Sequence, residues 1–143
     1  MPSRKLHFED NKFYHIDNRG FLKMSIFKSE NDYKMFISLI SKYSDGKIEI
    51  FAYGFVPNYY HFLVKQLSKN GVCYFFTNIQ RVYSEYFNDK YNRKGALYEG
   101  RFFAEEVRDN QHFQNLVKYI LNNPLKHKLV KLGADGISGL RFI

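Results

Sequence analysis

The sequence predicts an α+β fold, an antiparallel sheet with helices packed on one face and a further helix near the C-terminal end. Three observations carry this reading. Short aromatic and β-branched runs alternate with long stretches of helical periodicity. Two adjacent strand-like runs meet at Pro57-Asn58, where a central strand could not continue. The chain has 143 residues, 45% hydrophobic and 25% charged, which is one ordinary domain able to bury roughly 68% of its unfolded surface. No repeat, low-complexity tract or Pro/Ser linker interrupts it, so residues 1–143 read as a single domain with 1–11 and 132–143 as tails.

The elements follow in order. Lys12-Phe13-Tyr14-His15-Ile16-Asp17 is a strand closed by the turn signal Asn18-Arg19-Gly20. Ser29 precedes Asp32 by three residues, a capping-box start. Tyr33, Phe36, Ile37 and Ile40 then recur at helical spacing until Asp45-Gly46. Residues 47–55 and 60–64 flank Pro57-Asn58 and pair as a hairpin. From Val72 the apolar positions Phe75, Phe76, Ile79, Val82, Tyr83, Tyr86 and Phe87 keep the 3.6-residue period for more than four turns. Asn92-Arg93-Lys94-Gly95 is a basic loop, and Leu97 to Val107 has the content of another strand. Asp109 caps a last helix with Phe113, Leu116, Val117 and Ile120 on one face, ended by Pro124. The order β-α-β-β-α-β plus a helix is that of ferredoxin-like and RRM-like folds, which host many unrelated activities.

Composition narrows the partner and the compartment. Lys+Arg number 22 against 14 Asp+Glu, a formal charge of +8, alongside 15 Phe and 12 Tyr. A polyanion held with its bases unstacked suits that balance, although AT-rich coding also produces aromatic, Lys-rich chains. The single Cys73 excludes an internal disulfide and a zinc ribbon. No apolar run approaches the ~20 residues of a membrane span, and Met1-Pro2-Ser3-Arg4-Lys5 opens no signal core. The expectation is a soluble cytoplasmic protein.

Two places could carry chemistry. On the last helix Tyr119 lies off the apolar stripe and shares a polar stripe with His112, Asn115 and Asn123. Asn123, one turn after Tyr119, could bring its amide oxygen beside the phenol. The plainer alternative is a partly exposed tyrosine and an asparagine C-cap before Pro124. In the second place, Tyr59, His61 and Leu63 share one strand face, and a lone histidine among apolar residues is more often hydrogen-bonded core than ligand.

The blocks Phe13–Gly20, Val56–Val64 (Val-Pro-Asn-Tyr-Tyr-His-Phe-Leu-Val), Gly95–Phe102 and Tyr119–Pro124 (Tyr-Ile-Leu-Asn-Asn-Pro) occur in one order over residues 12–131. In this they resemble the single-tyrosine transposases of the HUH endonuclease superfamily, and within them the REP-associated branch. The resemblance implies an enzyme that nicks and rejoins single-stranded or hairpin DNA through a 5′-phosphotyrosine link. It also implies a divalent metal, Mg or Mn, and a homodimer. Tyr119 falls on the family's nucleophile, Asn123 on a polar metal ligand, and His61 on the second histidine of the His-hydrophobic-His motif. The first histidine is replaced by Tyr59. A neutral phenol is a poor ligand, and the loss should weaken metal binding at least the ~10 to 100-fold typical of outer-shell losses. Leu132–Leu140 also lacks the family's usual continuation. Both departures fit a decaying or domesticated copy that kept DNA binding and lost cleavage. An RRM-like RNA binder is a third reading, with Arg93–Phe102 a poor match to the aromatic RNA-binding motif.

His15 is the one other strand histidine able to stand in as ligand, although a histidine beside a turn more often bonds backbone. His7, His112 and His127 read as surface residues. Arg19, Lys65, Arg93, Lys94, Arg101, Lys118 and Lys126, with Lys128 and Lys131, are candidates for phosphate neutralisation, or simply a solvated basic surface. Tyr14, Tyr53 and Tyr98 could stack on bases, the half-buried strand aromatic being the commoner role.

Overall fold

The computed structural model describes residues 6–122, with side chains through Ile120, and the backbone of residues 127–132 and 139–142. The elements are β1 (Phe13–Arg19), α1 (Glu30–Ser44), β2 (Ile48–Val56), β3 (Tyr59–Gln66), α2 (Gly71–Lys90), β4 (Phe103–Glu106), α3 (Asn110–Asn122), β5 (His127–Leu132) and β6 (Gly139–Phe142). The strands form one sheet in the order β4-β1-β3-β2-β5-β6 with every neighbouring pair antiparallel. Its first four strands have the order of the split β-α-β fold expected from the sequence.

Local chemistry sets the element ends. Ser29 and Asp32 form the predicted capping box of α1, each side chain accepting the other's backbone N–H. Asp109 Oδ1 accepts the His112 N–H at 2.8 Å and so starts α3. β2 and β3 pair through Val56 and Tyr59 around Pro57-Asn58. β1 stops at Gly20, where a Cβ would lie 2.1 Å from the Met24 carbonyl oxygen, so only glycine lets the chain pass.

Strand alternation divides the sheet into two faces. Tyr14, Ile16, Tyr53, Phe55, Tyr60, Phe62 and Val64 meet Tyr33, Phe36 and Ile40 of α1 and Phe75, Phe76, Ile79 and Tyr83 of α2 in the main core. Rings there pack edge to face, as Phe36 on Phe55 at 5.2 Å and Phe62 on Phe76 at 5.2 Å. Such contacts add about 0.5–1.5 kcal/mol each to burial, and they account for much of the aromatic content.

The other face is covered by α3. Phe113, Leu116, Val117 and Ile120 pack on Phe51, Ala52, Val56 and Leu63, with Phe113 edge-on to Phe13 at 5.5 Å and to Phe51 at 5.6 Å. An irregularity in register between Ile50 and Ala52 turns Phe51 and Ala52 both to this side. Thus α1 and α2 share a face, as predicted, and the last helix lies on the opposite one, because that face too has apolar residues to bury.

Two sequence expectations change. The strand predicted over 97–107 is confined to Phe103–Glu106. Leu97, Tyr98 and Phe102 are buried instead in an irregular segment tied to β1 by the Gly20–Tyr98 bridge and the Glu99 N–H to the Arg19 carbonyl, 3.0 Å. Strands β5 and β6, which extend the sheet beyond β2, have no counterpart in the sequence reading.

Candidate active site

β1 and β3 lie side by side, with Asp17 opposite His61 and His15 opposite Leu63. Odd-numbered positions on both strands face α3, so His15, Asp17 and Arg19 of β1 and Tyr59 and His61 of β3 share one surface. Tyr119 descends on it from α3. His15, Asp17, Tyr59, His61, Phe103 and Tyr119 line one cavity of about 480 Å³.

The rings are close. His61 and Tyr119 are 5.5 Å apart between centroids, edge to face, His61 and His15 5.7 Å, and His61 and Tyr59 5.8 Å. Tyr119 is 51% exposed and His61 only 1%. A half-exposed phenol therefore stands beside a buried imidazole.

Burial dominates the electrostatics. It pushes His61 down to about 4, helped by the neighbouring His15. It lowers His15 as well, against the pull of Asp17 and Glu105. Burial raises the Asp17 carboxyl, opposed by His15 and Arg19. The Tyr59 phenol is raised by burial, then by Tyr119 and Asp17, so it is neutral at physiological pH. Both imidazoles are neutral there too, with a lone pair to offer.

The Nε2 atoms of His15 and His61 are buried and have no hydrogen-bond partner. An unpartnered buried nitrogen costs about 1–3 kcal/mol, and neutral imidazole nitrogens are the donors a borderline divalent cation accepts. These two nitrogens suit a metal, although among the described residues no group of three or more His, Cys, Asp or Glu is arranged to hold one. Asn123, the other ligand implied by the resemblance, lies outside the described residues, as does Lys126.

The basic residues have diverse surroundings. Arg19, which also lines the cavity, is half exposed and pairs with Glu99 at 2.6 Å. Lys65 rests over the Phe13 ring. Arg93 ties its loop to the end of α2, donating to Asn88 Oδ1 at 2.7 Å and to the Ala96 carbonyl at 3.0 Å. Lys94 and Lys118 are exposed. Arg101 lines a second concavity of about 640 Å³ with Arg81, Thr77 and Gln80 of α2. Buried Asn18 connects the two concavities, lining the first and donating to Gln80 Oε1 at 2.8 Å.

Sequence reasoning named Tyr119, His61 and Tyr59 and missed Asp17, Phe103 and Arg81. Asp17 could have been found by alternation from His15 once β1 was placed beside β3. Tyr14, Tyr53 and Tyr98 are 0%, 4% and 6% exposed, so they belong to the core and not to a stacking surface. His112 is no free surface residue either: its Nδ1 accepts the Arg108 N–H at 3.0 Å and its Nε2 lies 3.4 Å from Glu105. The sheet face on which an RRM stacks bases is partly occupied by α3.

Comparison with known proteins agrees with this architecture. Residues 11–123 match the family described as IS200-like transposase, and the chain belongs to that family. Among solved structures it is similar to a REP-associated tyrosine transposase bound to a REP hairpin, at TM-score 0.64 and 18% identity over 87% of this chain and 73% of that one. It is also similar to a putative transposase from Deinococcus radiodurans R1, at TM-score 0.54 and 12% identity over 85% and 96%. At such identities these two matches establish the fold. No curated protein gives a significant match. Family and fold together define a DNA transposase-like protein. Among the described residues no helix is long and apolar enough to cross a membrane.

Proposed function

We propose that this protein binds single-stranded DNA beside a hairpin and cleaves and rejoins it through Tyr119. The observation that carries the reading is the meeting of a half-exposed Tyr119 with buried His61 at one cavity on the same sheet face. Had the two lain on opposite faces, no phosphate could have reached both. The hairpin seen with the REP-associated neighbour supports the choice of DNA, and by the family resemblance the protein acts as a homodimer.

In this reading the Tyr119 phenol oxygen forms a bond to the scissile phosphorus as the bond to the 3′-oxygen breaks. The phenolic proton ends, through solvent, on the leaving 3′-oxygen, which becomes the 3′-hydroxyl. Rejoining is the reverse, by an incoming 3′-hydroxyl that regenerates the phenol. A phenol of ordinary pKa about 10 is a weak nucleophile. A divalent ion held by His61 and Asn123 would polarise the phosphate and stabilise the leaving oxygen. Arg19, which lines the cavity, and Arg81 with Arg101 in the second concavity would neutralise backbone phosphates of the bound strand.

The test is a denaturation-resistant adduct. A hairpin oligonucleotide with a single-stranded flank, incubated with the full chain and Mn²⁺, should give a covalent complex that Tyr119→Phe abolishes. No adduct with Mg²⁺, Mn²⁺, Co²⁺ or Zn²⁺ would refute the enzymatic reading. Tyr59 favours one second reading, a transposase-derived hairpin binder without cleavage. That protein would bind the hairpin with equal affinity in EDTA and in Mn²⁺.

A further inference from the structure

We infer that His15 takes the place of the histidine lacking at position 59, so that a divalent cation is held between Nε2 of His15 and Nε2 of His61. The inference deepens the proposed function and rests on it only in placing the ion beside Tyr119.

Strand geometry makes the replacement possible. In a motif of the form His-x-His, the two rings project from one strand two residues apart, about 6.7 Å along it. His15 opposes Leu63 across the ladder, so it stands diagonally to His61 on the same face. Diagonal cross-strand neighbours are about 7–8 Å apart and still within reach of long side chains. The neighbouring strand therefore offers nearly the spacing that the single strand has lost.

The observed rings agree with this. One ion about 2.1 Å from each Nε2 would put the two ring centroids about 5 to 6 Å apart, and they are 5.7 Å apart. Both Nε2 atoms are buried and unpartnered, His61 is 1% exposed, and both residues line the cavity that Tyr119 enters. Two such nitrogens from adjacent strands in one cavity form a built donor pair, since chance burial would leave each to find a partner. Tyr59, at 5.8 Å from His61 on the other side, presents only a neutral phenol. Asp17 lies directly across the ladder from His61 and lines the same cavity. Two protein donors would leave further coordination positions to phosphate oxygen and water, as reactive metal sites require. Two imidazoles favour Mn²⁺, Co²⁺ and Zn²⁺ over Mg²⁺, which prefers oxygen ligands.

Metal-free full chain, labelled with ¹⁵N at histidine, should be titrated with ZnCl₂ and followed by NMR, and separately with MnCl₂ and CoCl₂ by calorimetry. Zn²⁺ should shift the Nε2 resonances of His15 and His61 together and leave those of His7 in place. His15→Gln and His61→Gln should each weaken Mn²⁺ and Co²⁺ binding at least 10-fold, while His7→Gln, at an exposed site, should not. Coupled shifts in the unaltered chain test the site even if a variant fails to fold. A His15 resonance unmoved by saturating Zn²⁺, wild-type affinity in a folded His15→Gln, or no binding at millimolar metal would overturn the inference. Covalent adduct formation separates the two proposals. An adduct with full metal affinity in His15→Gln refutes this site and leaves Tyr119 standing, and coupled shifts without any adduct do the opposite.

Discussion

Asp32→Asn should destabilise the protein by about 2 to 4 kcal/mol at neutral pH, and most of that difference should vanish in acid. Asp32 is fully buried and its two oxygens accept five hydrogen bonds. The Lys28 and Ser29 N–H groups donate at 2.8 and 3.2 Å, Lys90 Nζ and the Tyr86 hydroxyl at 2.8 Å each, and the Tyr91 hydroxyl completes the set. The carboxylate thus ties the N-terminus of α1 to the C-terminus of α2. Burial alone would raise its pKa, but the bonds from Lys90 and Tyr91 and the backbone outweigh it and hold the group at about 2, against an ordinary 3.8. That depression corresponds to about 2.5 kcal/mol of charge-dependent stability. An amide adds the mismatch of a donor facing donors, and keeps part of the helix cap, worth about 1 kcal/mol. Because the folded state binds this proton more weakly than the unfolded chain, the contribution is fully present above pH 3.8. It is lost as pH falls through 2. Urea unfolding followed by circular dichroism on both proteins at pH 7, 5, 3 and 2 measures it, the difference between the proteins removing the other carboxylates. A loss below about 0.5 kcal/mol at pH 7, or a difference that stays constant down to pH 2, would refute the reasoning.

Other outcomes follow from the same structure. Gly20→Ala should cost about 1–3 kcal/mol or more, read as a lowered urea midpoint, because the added methyl meets the Met24 carbonyl oxygen, a backbone atom that cannot swing aside. Tyr59→His should raise Mn²⁺ affinity about 10 to 100-fold by calorimetry, since a third imidazole would then face His61. Arg81→Ala and Arg101→Ala should each weaken hairpin binding and lower the slope of log affinity against log salt by about one, if each neutralises one phosphate in the concavity they line. Phe36→Ala should cost about 3–5 kcal/mol in unfolding experiments, because its ring touches Phe27, Phe55, Tyr60 and Tyr83 at the centre of the main core.

Much of the fold was legible because its signals are local. The spacing of Tyr33, Phe36 and Ile40, the Ser29/Asp32 box and the Pro57-Asn58 break each act within a few residues, and each element they predict is present. The irregular course of Leu97–Phe102 was not legible. Its aromatic residues pack beneath α2 in the way strand residues would, and only the backbone partners, Phe21 and Arg19, reveal the difference. The bulge at Phe51 is similarly hidden, since one extra residue leaves composition unchanged while reversing which side chains face α3.

For the site, the sequence by itself determined the chemistry on offer: a tyrosine off the apolar stripe of the last helix, a histidine in an apolar strand, and a tyrosine where the related motif has histidine. Tertiary structure decided what these groups are near. Strand pairing set His15 diagonal to His61 and Asp17 directly across from it, and α3 crossed to the open sheet face to bring Tyr119 over them. The reason is physical. Periodicity fixes which way a side chain points from its own element, whereas its distance to another element depends on register and on the choice of sheet face, both settled only when the apolar surfaces of the whole chain are buried together.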